Sequence, residues 1–193
     1  MRQRISFVFI VAIVILAMVV VEATGEEAEP FSFRNGITFG MSIEEIKEIE
    51  EVQNHLDPEK WRTSFEYGWT VLTMDEKVRI SQYTGEIVYF FNNDMMQSAL
   101  YMVTTEDIDE VYQGITKALS SIYGDCEDVD QNQIESMIKF FTPVHYLSLS
   151  EGKKWIDKKV IVYQYKTRKT KFYIQYLNPA FDYPNPPIDV TGL

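Results

Sequence analysis

The chain has 193 residues, of which 18 are basic and 29 acidic, and its net charge is −11 at pH 7. Such an acidic surface repels the phosphates of nucleic acids and disfavours them as partners. A single cysteine, Cys126, excludes an internal disulfide. The length suffices for one ordinary hydrophobic core, so we expect a single domain or two small repeats fused around one sheet.

The first 23 residues are typical of a secretory signal peptide. Arg2 and Arg4 precede an almost unbroken apolar run over residues 5–21, and small residues follow at the cleavage positions. The run is 17 residues long, just under the roughly 18 to 20 that cross a bilayer, so it is either cleaved or kept as a signal anchor. Both alternatives place the body of the protein outside the cytoplasm. The membrane is then a partner only through an uncleaved segment.

The stretch FGMSIEEIKE predicts the start of a first helix. Ser42 and Glu45 match the S-x-x-E capping box, and isoleucines recur at helical spacing after them. Gly40 permits a sharp turn into the helix. Pro58 ends the element, because the residue before a proline is disfavoured in helical conformation.

The next stretch, residues 64–103, predicts antiparallel strands, because it is rich in β-branched and aromatic residues and is broken by polar turns. The sequence FNNDM predicts a hairpin turn, since asparagine and aspartate tolerate positive φ. A later hairpin is predicted around the charged turn KTRKT. The predicted strands cover residues 66–74, 77–83, 86–91, 95–103, 155–165 and 171–177.

A second helix is predicted by the sequence DIDEVYQGITKALSSIYG, in which the apolar residues form one face. Asp107 and Glu110 predict a start that resembles a capping box, and Gly124 predicts the end. Residues 125–150 fit either a helix or a strand.

The order of these elements predicts an α+β fold, in which each helix is followed by antiparallel strands. It suggests a tandem repeat of an α-then-β unit, with halves at 37–104 and 105–177. We predict a linker over residues 24–36, a single domain over 37–177 and an extended proline-rich tail over 178–193.

Histidine-based catalysis has few candidate residues. The chain contains only His55 and His145, and it has no G-x-S-x-G, H-E-x-x-H or P-loop motif. We therefore expect no cofactor, no metal site and no identifiable catalytic residue. With so many acidic residues, a pair of carboxylates at the separation of a glycosidase stays open. A cell-surface carboxylate-dependent hydrolase is thus an alternative function.

Charge is distributed unevenly along the chain. Residues 153–171 contain eight basic side chains against one acidic, whereas residues 24–152 contain eight against 25. Clustered cations attract anionic partners such as a surface polymer, lipid head groups or an acidic protein. The candidate binding residues on this basic hairpin are Lys166, Arg168, Lys169 and Lys171. The alternative is that these cations protect a strand edge or face the protein's own acidic residues.

The opening ITFGMSIEEIKEI, the pair Tyr123-Gly124 and the strand that starts at Trp155 together carry a family resemblance. The chain resembles small extracytoplasmic domains of the β-lactamase-inhibitor-like and outer-membrane-assembly small-lipoprotein type. It is also similar to uncharacterised secreted proteins of Gram-positive bacteria. It departs from the pattern in having NHLDP where L-G-x-P is usual and in lacking a lipoprotein cysteine.

The resemblance implies a helix covered by an antiparallel sheet and a role in binding other proteins without catalysis. It transfers no functional residue. The predicted function is therefore a secreted or envelope-anchored, non-catalytic binding module that recognises another macromolecule. The alternatives are the hydrolase named above and a structural subunit of an envelope assembly.

Overall fold

Antiparallel strands dominate the computed structural model of the chain. It describes residues 31–66, 68–80, 83–138, 149–167 and 170–183. The predicted signal segment, most of the predicted linker and the end of the tail lie outside these residues. Within them, nine strands form one sheet in the order β1-β2-β4-β5-β9-β8-β7-β6, and β3 pairs with β4 off this path. The strands are β1 (Trp61–Glu66), β2 (Trp69–Met74), β3 (Val78–Ile80), β4 (Tyr83–Asn92), β5 (Met95–Thr104), β6 (Glu127–Val129), β7 (Leu149–Ile156), β8 (Ile161–Thr167) and β9 (Lys171–Leu177).

Three α-helices accompany the sheet in the described residues: α1 (Ile43–Asn54), α2 (Ile108–Tyr123) and α3 (Gln131–Ile138). A short 3-10 helix, Pro58–Lys60, precedes β1. The α+β class predicted from the sequence is confirmed. The 26 residues left open, 125–150, contain both β6 and α3, while residues 139–148 lie outside the described part.

The predicted capping box of α1 is confirmed. The backbone N–H of Ser42 donates to Glu45 Oε2 at 2.8 Å, and the N–H of Glu45 donates to Ser42 Oγ at 3.4 Å. Hydrogen bonds from Ser42 lower the pKa of Glu45. Gly40 has φ +89, as the sharp turn before the helix requires.

The predicted cap of α2 is only half correct. Asp107 is the N-cap residue, but its side chain makes no capping hydrogen bond. At the other end Gly124 adopts φ 83, and its N–H donates to the carbonyl of Ser120 at 3.0 Å. The prediction that Gly124 ends the helix is confirmed.

Turns account for the differences between the predicted and the observed strands. Asn93 and Asp94 have φ 50 and 61, which confirms the predicted hairpin between β4 and β5. The predicted strand 66–74 is wrong at its start, because Gly68 at φ 87 lies in a turn and β1 precedes it. The predicted strand 155–165 is two strands, β7 and β8, since Asp157 N–H donates to the carbonyl of Val160 at 2.9 Å and closes a turn.

The sheet buries apolar side chains on both faces. One face, called here the α1/α2 face, packs against the two longer helices through residues such as Leu72, Tyr89 and Trp155. The opposite face carries a second cluster that includes Trp69, Tyr165 and Tyr173. Successive residues of a strand point to alternate faces, so a central strand such as β5 is buried along most of its length.

On the opposite face, α3 rests on β7 at a glycine. A Cβ added to Gly152 would overlap with Cδ1 of the Ile134 side chain. Ile134 is 1% exposed. A larger residue at 152 would therefore require the Ile134 side chain to shift.

Candidate functional site

The basic hairpin is formed by β8 and β9, and its four predicted binding residues do not share one surface. Lys166 lies at the end of β8 and points to the α1/α2 face, where its Nζ lies 4.8 Å from the centre of the Tyr112 ring. Lys171 lies at the start of β9 and points to the opposite face, with its Nζ 4.0 Å from Met102 Sδ. Arg168 and Lys169 lie outside the described residues.

Lys166 binds the protein's own acidic residues at the edge of the core. Its Nζ lies 2.5 Å from Asp109 Oδ1 and 2.9 Å from Glu151 Oε2, and its side chain is 12% exposed. Partial burial works against its charge, but the hydrogen bonds to Asp109 and Glu151 prevail and raise its pKa. Lys166 therefore joins the first turn of α2 to β7 and β8.

Lys153, which lies on β7 within the basic stretch 153–171, also binds an acidic residue of the protein. Lys153 Nζ lies 2.5 Å from Asp128 Oδ1, which links β7 to β6. The hydrogen bond to Asp128 raises the pKa of Lys153. For Lys153 and Lys166, the alternative that the cations face the protein's own acidic residues describes the observed contacts.

The opposite face combines lysines with aromatic and apolar side chains. Lys154 Nζ lies 5.6 Å from the centre of the Tyr163 ring. Tyr163, Met102 and Val88 are partly exposed on this face. Together with Lys171, these side chains define the second-face patch: Val88, Met102, Lys154, Tyr163 and Lys171. It can offer apolar contact, aromatic stacking and positive charge to one partner.

The chain after β9 folds back over one end of the opposite face. Asn178 Nδ2 donates to Gln97 Oε1 at 2.8 Å, and Tyr183 OH donates to the Gln97 carbonyl at 2.7 Å. The rings of Phe181 and Tyr183 lie 5.4 and 6.1 Å from that of Trp69. This segment closes the Trp69 end of the face.

A buried charged cluster on the α1/α2 face was not predicted from the sequence. Arg34 Nε lies 3.2 Å from Glu50 Oε1, and their side chains are 12% and 0% exposed. The hydroxyl of Tyr89 donates to the same carboxylate, and the Arg34 guanidinium hydrogen-bonds Tyr101. Arg34 Nη1 is buried without a hydrogen-bond partner.

Burial governs the tyrosines of this cluster. It raises the pKa of Tyr101 to about 12, although the Arg34 charge acts in the opposite direction. Burial, followed by the Glu50 charge, raises the pKa of Tyr89 well above its usual value. The spacing of α1 offered a signal for Glu50, which lies four residues after the buried Ile46 and so belongs to the same face.

Among the residues that the structure describes, no group of three or more histidine, cysteine, aspartate or glutamate side chains is placed to hold a metal ion. No helix within the described ranges is long and apolar enough to cross a membrane. Cys126 is a free, half-buried thiol.

Comparisons with known proteins give no identification. No family model matches the chain, and no curated protein or solved structure is significantly similar to it.

Proposed function

We propose that this protein is a secreted or envelope-anchored, non-catalytic binding module that recognises another macromolecule, either a protein or an anionic surface polymer. The observation that carries the proposal is the second-face patch. There, Lys154 and Lys171 flank partly exposed aromatic and apolar side chains on the face that α1 and α2 leave uncovered. Aromatic and methionine side chains are enriched in protein interfaces, and a lysine over an aromatic ring adds a cation–π contact.

The proposed family relationship agrees with this role. The Gly40-Met41-Ser42 turn leads into a capped helix that lies against an antiparallel sheet. That arrangement is what the resemblance to β-lactamase-inhibitor-like domains implies, and such domains bind other proteins.

The proposal also includes an internal duplication. β5 and β9 pair at the centre of the sheet, and strands follow outward as β4-β2-β1 on one side and β8-β7-β6 on the other. Each side is preceded by a helix on the α1/α2 face, α1 and α2 respectively. Within the described residues, β3 and α3 have no counterpart in the other half and would be later additions.

The extracytoplasmic location rests on residues 1–23, which lie outside the described part of the chain. We propose that they act as a signal peptide or signal anchor, because their charge and apolar length fit that role. The membrane would then be contacted only through an uncleaved segment.

The first experiment measures binding to an anionic wall polymer, poly(glycerol phosphate), over a range of salt concentrations. The test variant is Lys154→Gln/Lys171→Gln. The charge-matched control is Lys158→Gln/Lys159→Gln in the exposed turn between β7 and β8. Exposed ion pairs contribute up to about 1 kcal/mol each, so we expect the test variant to bind roughly tenfold more weakly and the control to bind like the parent.

If the polymer binds none of these proteins, we expect the partner to be a protein. The same three proteins then serve as baits in co-purification from the cell surface. A partner that both variants retain equally would contradict a role for the second-face patch. The fuller variant neutralised at Lys166, Arg168, Lys169 and Lys171 tests the basic hairpin as a whole.

Three carboxylates with partners in the described residues, Glu50, Asp109 and Glu151, give the hydrolase alternative no support. Glu50 is the buried acid of the described core, and Arg34 and Tyr89 both bind it. Asp109 and Glu151 bind Lys166. A hydrolase of this kind needs two carboxylates facing a substrate, and these three face cations of the protein itself.

A further inference from the structure

The outer edge of the sheet at β1 is open. β1 ends the strand order, and its residues Arg62, Thr63, Ser64 and Phe65 are exposed. In the part of the chain that the structure describes, no strand pairs with this edge. At the far end, β6 has three residues, which offers little backbone for pairing. β1 has six residues and contains no proline, lysine or bulge that would discourage pairing. Its one basic residue, Arg62, binds Asp75 of the same chain.

The register shows which backbone groups are available. The carbonyl of Lys60 accepts from Asp75 N–H at 3.1 Å, so these two residues form a hydrogen-bonded pair. The next pair along the ladder, Trp61 with Met74, is then a non-hydrogen-bonded pair. Hydrogen-bonded and non-hydrogen-bonded pairs alternate along an antiparallel ladder. The backbone groups of Trp61, Thr63 and Phe65 therefore point away from β2, toward the open edge.

The side chains of β1 are arranged symmetrically about Thr63. Trp61 and Phe65 lie two residues before and after it, on the α1/α2 face, and Phe65 is 75% exposed. Lys60 and Glu66 lie three residues before and after it and carry opposite charges. A strand with this pattern is complementary to its own antiparallel copy.

We propose that this protein forms a two-fold symmetric dimer in which β1 pairs with β1 of a second copy, centred on Thr63. In that register each Trp61 faces Phe65 of the other copy, and each Lys60 faces its Glu66. The outward backbone groups of three residues on each strand would form about six hydrogen bonds. Aromatic and oppositely charged cross-strand pairs both favour pairing. The dimer joins two sheets into one continuous sheet.

Thr63→Pro tests the backbone part of the proposal. The N–H of Thr63 points away from β2, so proline removes no bond to β2, while its ring blocks the approach of a second strand. Thr63→Val keeps the N–H and is the matched control. Because six-residue strands bury little surface, we expect a dissociation constant on the order of micromolar for the parent. Thr63→Pro should raise it at least tenfold, and Thr63→Val should leave it unchanged.

Charge reversal tests the register. Lys60→Glu places two acidic residues opposite each other, and Glu66→Lys places two basic residues opposite each other, so each variant alone should dimerise several-fold more weakly. Mixing the two variants restores both opposite-charge pairs, and we expect a heterodimer that is as stable as the parent dimer. A structural defect in either variant would not be repaired by mixing.

Sedimentation velocity with reductant present measures these association constants and removes any disulfide through Cys126. Thermal unfolding of each variant confirms that the fold is kept. A parent protein that stays monomeric up to about 1 mM would overturn the proposal. So would a dimer that Thr63→Pro does not weaken, or a mixture of the charge variants that associates no better than either alone.

Discussion

α1 and α2 lie on the same face of one sheet, yet different polar chemistry holds them. α1 is fixed by a buried charge, because Glu50 binds Arg34 from the preceding segment and Tyr89 from β4. α2 is fixed by a neutral amide. Gln164 Nε2 donates to the Tyr112 carbonyl at 2.8 Å, and its Oε1 accepts from Thr116 at 2.9 Å.

The difference teaches how each helix responds to the loss of a partner. A buried ion that loses its counterion keeps its full desolvation cost, so the α1 attachment depends on every member of its cluster. An amide that is lost leaves uncharged groups unpaired, which costs less. α2 also has a contact at the surface, between Lys166 and Asp109. If this contact is removed, water can hydrate the Asp109 carboxylate that is left.

The largest effect is expected at the buried cluster. Arg34→Met leaves Glu50 buried without a cation, and we expect a loss of about 3–5 kcal/mol in the free energy of unfolding, measured by urea denaturation. The control is Arg62→Met, because Arg62 binds Asp75 on the surface and is 72% exposed. It should cost less than about 1 kcal/mol. Arg34→Met/Glu50→Leu should recover most of the loss, and a double variant as unstable as the single would contradict this account.

The tyrosine beside Arg34 makes the same cluster sensitive to alkali. The pKa of Tyr101 is raised to about 12 by burial, whereas an unfolded tyrosine ionises near pH 10. Its stabilising contribution is therefore complete below pH 10 and is lost as the pH rises through about 12. As the pH rises between these two values, the free energy of unfolding of Tyr101→Phe should therefore fall by about 2–3 kcal/mol less than that of the parent. Equal pH dependence of the two proteins would exclude this role for Tyr101.

At the neutral attachment of α2, Gln164→Leu should lower the free energy of unfolding by about 1–3 kcal/mol, because the Tyr112 carbonyl and Thr116 lose a buried partner. Thr116→Val removes one of these two bonds and should cost less. Chemical denaturation of both variants measures the difference. A cost for Gln164→Leu as large as that for Arg34→Met would remove the contrast between the helices.

The smallest effect is expected at the surface contact of α2. Lys166→Met should cost less than about 1 kcal/mol, because Asp109 is largely exposed and is hydrated in its absence. Added salt should reduce the difference from the parent, since it screens exposed charges. A larger cost that salt does not change would mean that Lys166 acts mainly through packing on Tyr112.

The sequence predicted the two longer helices well, because their signals are local. Ser42 and Glu45 form the predicted capping box, and Gly124 ends α2 as its φ demands. The turn at Asn93 and Asp94 was predictable for the same reason. The α+β class follows from these elements taken in order.

The rest depends on contacts between distant residues. Nothing near Arg34 in the chain indicates that it meets Glu50 and Tyr101, so its segment reads as a linker. Lys166 and Lys171 point to opposite faces because of the strand register. Composition alone does not show this register, so it places both lysines in one basic patch. β1 was missed because its exposed, polar residues resemble those of a loop.

The central pairing of β5 with β9 has a consequence for the time course of folding. It joins residues as distant in the chain as Ser98 and Leu177, and closing so large a loop before any contact rewards it makes folding slow. Until β9 emerges, β5 has no neighbour on that side and the two parts of the sheet cannot join. A nascent chain could therefore complete its sheet only after β9 is made. That delay suits a protein which, as we propose, crosses a membrane before it folds.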